Sequence, residues 1–355
     1  MKWWNALKRS AWYTKLTNWE YWPAAAFYWP SVLTLPWLAL RSGHPCFYTA
    51  ANPGIELGGL GLESKYQTLL KIPPLLRPKT LLVQPEEPFA ALERRLREAR
   101  IGYPLIAKPD LGFRGFLVRQ IDGPAELENY LTRYPIPFLV QEFLNYPQEV
   151  GVLYYRLPHA PAGCITSLTL KSFLQVTGDG RSTVRALIHR HPRSRLQLKR
   201  LEARHGEALG RVPAAGERVA LGVVGNHSKG TRFINGNHLI DAALQRTFDR
   251  LAEQLDGFSY GRFDLKCESL DALRRGRGFK IIEVNGICSE PTHIYDAGRI
   301  SYWGALCAIQ RHFFLIRRIA AAHHSRGVPY SSVPKLVREV RRLICYKRAI
   351  RKMER

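Results

Sequence analysis

Two runs in the second half of this 355-residue chain, 261-GRFDLK-266 and 281-IIEVNG-286, decide how the rest is read. Both have the apolar character of buried strands, and they read as a pair. Each carries a carboxylate where an apolar side chain is expected: Asp264 in mid-strand, and Glu283 between Ile282 and Val284. Burying two carboxylates is costly unless a cation or hydrogen-bond donors satisfy them. With Asn285 two residues beyond Glu283, the set is all oxygen, which suits Mg²⁺ bridging phosphates rather than zinc. Arg262 lies two residues before Asp264, so it points to the same side of its strand and can stabilise charge on a transferring phosphoryl group. The structural alternative is buried pairing among Arg262, Asp264 and Glu283.

Two further clusters lie upstream. In 107-AKPDLGFRG-115, Lys108 ends a strand and a loop with Gly112 and Gly115 follows. A lysine beside glycines matches what a triphosphate needs, since the ammonium neutralises oxygens while glycine lets backbone N–H groups approach them. A salt-bridged or solvated strand-ending lysine would look the same. In 140-VQEFLNYPQE-149, an apolar strand delivers Gln141, Glu142, Phe143 and Leu144, and Glu149 follows seven residues after Glu142. A strand edge with an apolar slot can hold an adenine ring, and a carboxylate can hold ribose hydroxyls. Two solvated glutamates at a strand end are the bland counterpart.

Outward from these clusters the chain alternates elements. Helical spacing marks residues 88–100, 124–134, 182–191 (with Ser182 as cap) and 239–255; strand patterns mark 101–108, 137–144, 149–157, 164–176, 258–268 and 278–286. Helices mixed with antiparallel-looking strands indicate an α+β or mixed α/β fold. Three regions emerge: an aromatic and basic arm over 1–60, a main domain over 61–310, and a basic helical tail over 311–355.

In this order the clusters resemble the ATP-grasp superfamily, specifically the D-alanine–D-alanine ligase branch of carboxylate–amine ligases. The resemblance covers about two-thirds of the chain. It implies two α+β subdomains clamping ATP, with ATP and Mg²⁺ as cofactors and a ligase reaction through an acylphosphate. It assigns phosphate contacts to Lys65 (in 63-ESK-65), Lys108 and, loosely, Lys171, with Gly112 and Gly115 in the loop. Gln141, Glu142, Phe143 and Leu144 are assigned to adenine and Glu149 to ribose. Asp264, Glu283 and Asn285 become the metal ligands, and Arg262 and Lys108 the catalytic cations. A second resemblance, to the ATP-grasp part of cyanophycin synthetase, rests on 176-VTGDGRSTVRALI-188 and 212-VPAAGERVALGVVGNHSKGTRF-233. It brings Asn226, Ser228 and Lys229 near the phosphates; an ordinary polar hairpin is the alternative. Past the metal strand the chain departs from the dipeptide ligases, reading 286-GICSEPTHIYD-296, so their substrate is not inherited. Ser289, Glu290, Thr292 and His293 are candidate acceptor contacts, with Glu290 and His293 as candidate bases; solvated loop residues are the alternative.

The charge balance bounds the partners. Lys and Arg number 53 against 29 Asp and Glu, a net +24, which implies an anionic counterpart: nucleic acid, a membrane surface, or phosphate-bearing substrates. Residues 21–40 carry no charge and are about long enough to span a bilayer, but Pro23, Pro30 and Pro36 interrupt them. Seven of the eight tryptophans lie at or before Trp37, and tryptophan favours the headgroup level. An interfacial segment is therefore expected, with an arm packed on the main domain as the alternative. In the tail, Val333, Leu336, Val337, Val340, Leu343 and Ile344 form one helical stripe among basic residues, a membrane-surface pattern, with a core-packing helix whose basic face is solvated, or RNA binding, as the alternatives. The expected address is cytoplasmic, peripheral on the inner face of a membrane. The expected substrates are a small or lipid-linked carboxylate and an amine, without nucleic acid. A non-catalytic nucleotide-binding scaffold and a basic nucleic-acid-binding protein are the competing classes. The six scattered cysteines read as reduced thiols.

Overall fold

A computed structural model describes residues 10–61, 63–112, 115–222 and 225–353. The prolines of the arm act as their positions predict. Helix α1 (Ala11–Thr17) is capped by the Ser10 hydroxyl, α2 (Ala24–Tyr28) starts after Pro23, and α3 (Thr34–Arg41) carries Pro36 in its first turn. The uncharged stretch is thereby split into short helices, and among the described residues no helix is long and apolar enough to cross a membrane. One face of the arm is buried: Phe27 packs with Ile294, Ala305 and Ile309, and Leu38 with Phe47, Ile316 and Ile319. A glycine turn leads from the arm into α4 (Lys65–Leu70), capped by Ser64.

The first α+β unit comprises β1 (Thr80–Val83), α5 (Phe89–Glu98), β2 (Leu105–Pro109), β3 (Arg119–Ile121), α6 (Pro124–Arg133) and β4 (Phe138–Glu142). Its sheet runs β1-β4-β2-β3 with antiparallel neighbours. Leu92 and Leu96 of α5 and Leu127, Tyr130 and Leu131 of α6 cover it, a helical period of apolar residues meeting a two-residue strand period.

The second unit is larger. Strands β5 (Gln148–Tyr155) and β6 (Cys164–Ser172) form the antiparallel pair expected from their sequence, and β6 ends before a separate β7 (Gln175–Thr177). Helices α7 (Val184–Arg190), α8 (Pro192–Arg195) and α9 (Leu198–His205) lead to β8 (Arg218–Ala220), which pairs with β7. Thr183, rather than Ser182, caps α7: its hydroxyl accepts from the Ala186 amide at 3.2 Å, while Ser182 is engaged by Asp179. Next come β9 (Arg232–Asn235), α10 (Ala242–Glu253), β10 (Tyr260–Cys267), α11 (Leu270–Arg274) and β11 (Phe279–Asn285). The main sheet has the order β11-β10-β5-β6-β9. Val150, Val152, Leu168, Phe263 and Leu265 point from one of its faces into a core closed by Leu244, Phe248 and Leu251 of α10. Each such fully buried side chain contributes about 1.5–3 kcal/mol relative to exposure.

Two long helices finish the chain. α12 (Tyr302–His324) runs through the expected 310/311 boundary and backs the arm, while α13 (Val333–Met353) crosses to the first unit. There Ile350 joins the core of the first sheet, with Tyr346 and Met353 packed beside it. The apolar stripe expected on this helix divides: Leu336 and Leu343 are half-buried, whereas Val333, Val337, Val340 and Ile344 are exposed.

Candidate functional site

The site lies on the face of the second sheet opposite its core, and strand register builds it. In β10 and β11, Asp264 faces Glu283 and Arg262 faces Asn285; on the other side of β10, Asp264 faces Gly151 and Lys266 faces Glu149 of β5. Glu149 in turn faces Lys171 of β6, and Gly151 faces Thr169. A side-chain period of two therefore gathers charged residues from four strands on one face. Gly151 leaves room for a diagonal contact, since a Cβ there would sit 3.2 Å from Asp264 Oδ1. Across that gap Lys171 Nζ reaches Asp264 Oδ1 at 2.8 Å while also holding Glu149 Oε1 at 2.9 Å.

Asp264 is the centre of this network. Its Oδ2 accepts from Arg262 Nη2 at 3.0 Å and from Asn285 Nδ2 at 3.0 Å. Burial opposes the Asp264 charge, but Arg262 and Lys171 outweigh it and hold the carboxyl well below its ordinary pKa. Glu283 shows the same balance: burial acts against its charge, and Lys65 and Lys108 overcome that. Lys65 Nζ lies 3.1 Å from Glu283 Oε1 and donates to the Gly112 carbonyl at 2.9 Å. The lysine of α4 thus ties the glycine loop of the first unit to the last strand of the second.

Lys108 crosses between the units. From β2 its Nζ donates to Gln141 Oε1 at 3.1 Å and to the Ile282 carbonyl of β11 at 3.0 Å. It is only 8% exposed, and both acceptors are neutral. Desolvation pulls its pKa from the usual 10.5 down to about 8, against the pull of Glu283. Gln141 is itself buried and donates to Thr80 Oγ1 at 3.0 Å. Glu142 closes the first sheet onto the second: it pairs with Lys280 of β11 and accepts from the Lys79 amide at 3.0 Å. Lys266 lies over the Phe143 ring and donates to the Leu144 carbonyl at 3.2 Å, so residues 143–144 meet the polar face beside Glu149.

Two loops flank this region. Of the glycine loop, Gly112 and Gly115 are described, whereas Phe113 and Arg114 lie outside the described residues. The polar loop approaches from β9: a Cβ on Gly225 would fall 2.0 Å from Glu149 Oε1. Asn226 caps the following turn, its Oδ1 accepting from the Ser228 amide and hydroxyl, and Lys229 stacks over Phe116. The two loops therefore touch, with Asn226 and Ser228 engaged in their own turn.

The chain matches no known family model and no curated protein. Among solved structures it is similar to a bifunctional glutathione synthetase from Pasteurella multocida, at 18% identity over 71% of this chain and 36% of that one, with a TM-score of 0.37. It is also similar to the VanG D-Ala:D-Ser ligase from Enterococcus faecalis, at 13% identity over 71% of this chain and 61% of that one, TM-score 0.40. A third likeness is to the D-alanine–D-alanine ligase from Coxiella burnetii, at 11% identity over 84% and 64%, TM-score 0.42. The chain spans less than two thirds of each of these three proteins. At such identities and TM-scores a likeness settles neither activity nor substrate, which rest on the residues of the site.

The segment after β11 folds back over the polar face rather than standing in solvent. Thr292 and His293 are buried against β6, with Thr292 Oγ1 donating to Thr169 Oγ1 at 2.9 Å and His293 Nδ1 2.8 Å from Ser167 Oγ. Burial lowers the His293 pKa to about 4, so the ring is neutral at pH 7. Ser289 is buried too, bonded to the Gly286 carbonyl. Glu290 is gripped by two phenols, Tyr28 of the arm and Tyr295 at 2.8 Å, while its carbonyl accepts from Arg262 at 3.3 Å. Tyr28 carries no motif that singles it out, so its place beside Arg262 and Glu290 emerges only from the fold. The same holds for Glu20, which accepts from Arg193 at 2.6 Å and lies 2.9 Å from His227 Nε2.

Among the described residues no three His, Cys, Asp or Glu side chains cluster closely enough to hold a metal ion. Asp264, Glu283 and Asn285 nonetheless share one face at paired positions and offer oxygen only, a donor set that fits Mg²⁺ arriving with phosphates and keeping part of its water shell. The cysteines are all free thiols.

Proposed function

We propose that the chain binds Mg-ATP between its two sheets and transfers the γ-phosphoryl group to a substrate carboxylate, giving an acylphosphate that an amine captures as an amide. The observation that carries this reading is Lys108, a buried ammonium with two neutral acceptors at the junction of the two sheets. Such a group is poised for an anion, and a polyphosphate supplies several. Lys65, Lys171 and Arg262 stand around the same face, so four cations oppose Glu149, Asp264 and Glu283. An incoming triphosphate with its metal rearranges these pairs instead of meeting bare solvent.

In this scheme Lys65 and Lys108 neutralise phosphate oxygens from either unit, and Gly112 and Gly115 let the backbone approach them. Gln141 to Leu144 line the adenine side. Arg262 is aimed by Asp264 and stabilises charge as the phosphoryl group leaves. When bound at Asp264, Glu283 and Asn285, Mg²⁺ supplies further charge neutralisation on the phosphates. The carboxylate is converted to a mixed anhydride with phosphate, ADP leaves, and the amine displaces phosphate with loss of a proton. The substrates are a carboxylate and an amine, small or lipid-linked.

The test is release of inorganic phosphate from ATP and Mg²⁺ in the presence of pooled amino acids and short amines. The intact chain is expected to release it, and Glu283→Gln is expected to abolish release while ATP still stabilises the fold. A wild-type protein that neither binds ATP calorimetrically nor releases phosphate would overturn the proposal.

A further inference from the structure

Among the described residues, the arm leaves an apolar surface that no other element covers. Trp29 is 66% exposed, Leu33 75% and Leu40 81%, with Val32, Leu35 and Trp37 also exposed. The long helix α12 continues this surface: Phe314 meets Trp37 edge-on at 5.7 Å, and Trp303 is 69% exposed. Along α12 the exposed positions Trp303, Cys307, Arg311, Phe314 and Arg318 recur at helical spacing, so apolar and basic side chains share one stripe. Arg41 lies over Trp37 at 5.1 Å, at the margin of the patch. Soluble surfaces rarely carry a contiguous apolar patch this dense in large side chains unless something docks there.

We infer that this face, formed by residues 29–40 and the outer stripe of α12, docks on an anionic lipid bilayer. Charge decides the occupant. A second copy meeting this face about a two-fold axis would bring the arginines Arg41, Arg311 and Arg318 against an equally basic face, on chains of net charge +24. An anionic bilayer offers the opposite sign to those arginines and an apolar layer to the side chains between them. Each arginine near such a leaflet adds to the attraction. The exposed tryptophans Trp29, Trp37 and Trp303 match the headgroup level, and the short proline-separated helices suit a shallow seat rather than a span.

The patch is one residue from the site. Trp29 follows Tyr28, whose phenol bonds the Glu290 carboxylate, and the Glu290 carbonyl accepts from Arg262. The docked chain thus presents the Glu290 end of the site next to lipid, and the substrate class it takes is a carboxylate or amine carried on a membrane anchor. This last step rests on the ligase reading above; the docking does not.

The experiment is flotation of the full chain with vesicles of phosphatidylcholine alone and of equal parts phosphatidylcholine and phosphatidylglycerol. The wild type is expected to float with the anionic vesicles and to be released by high salt. The triple variant Trp29→Ser, Leu33→Ser, Leu40→Ser, and separately Arg311→Glu with Arg318→Glu, should each weaken flotation by about tenfold or more. Both should keep wild-type ATP-induced thermal stabilisation. Failure of the wild type to float, flotation of both variants equal to that of the wild type, or a change from dimer to monomer in the triple variant without any vesicle binding would overturn the inference. Flotation without ATP binding would overturn the ligase reading and leave the docking face standing.

Discussion

An ammonium buried as deeply as that of Lys108, with a carboxamide and a peptide carbonyl as acceptors, loses hydration that neutral oxygens only partly replace. Its folded pKa of about 8 lies below that of the unfolded chain, so the unfolded state binds more protons above pH 8. The penalty is therefore full below pH 8 and shrinks as pH rises towards the unfolded pKa. Lys108→Met is expected to raise the melting temperature at pH 7 and to lose that gain by about pH 10. An anionic ligand reverses the preference. ATP affinity should fall as pH rises from 7.5 to 9.5, with proton uptake on binding near pH 8 by calorimetry in two buffers, and the variant should bind about tenfold or more weakly with a flatter profile. Asp264 and Glu283 separate in a different way. Asp264→Asn leaves Lys171 and Arg262 short of a buried counter-charge, a change of the kind that costs about 3–5 kcal/mol in urea unfolding. Glu283→Gln, nearer solvent beside Lys65, should cost little stability while removing phosphate release. These carboxylates were legible in the sequence because alternation places them against an apolar background. Their partners Lys171 and Gly151 were less so, since a lysine and a glycine in a strand carry no such contrast.

At the scale of elements, the join between arm and site depends on two glycines. Gly59 has a φ of +92°, and a Cβ there would lie 2.5 Å from the Gly286 Cα, directly after Asn285. The amides of Ile287 and Cys288 donate to the carbonyls of Gly58 and Gly59 at 3.0 and 3.2 Å. Gly59→Ala is expected to destabilise the chain by about 2 kcal/mol or more, measured in urea, and to weaken ATP binding by displacing β11. In the sequence, Gly58, Gly59 and Gly61 mark this segment only as a loop. The long amphipathic helix α10 and the paired strands β10 and β11 were evident, because their periods extend over many residues. The short strands β1, β3, β8 and β9 were not, because three or four residues carry too little pattern.

For the molecule as a whole, the basic helix α13 is a buttress as well as a charged surface. Tyr346 donates to the Leu111 carbonyl beside the glycine loop, and Ile350 is buried in the first core. Removing residues 331–355 is expected to lower the melting temperature and weaken ATP binding together, whereas removing the exposed stripe by Val337→Ser and Ile344→Ser should spare both.

Strand periodicity sufficed to place Arg262, Asp264, Glu283 and Asn285 on one face, because side chains two apart must share a side. The arm's proline breaks and the excess of basic residues were likewise local facts. That Lys108 reaches β11, that Tyr28 closes on Glu290 and that the tail props the glycine loop are contacts between segments distant in the chain. No spacing encodes such contacts, and they exist only once two sheets, an arm and two long helices have packed.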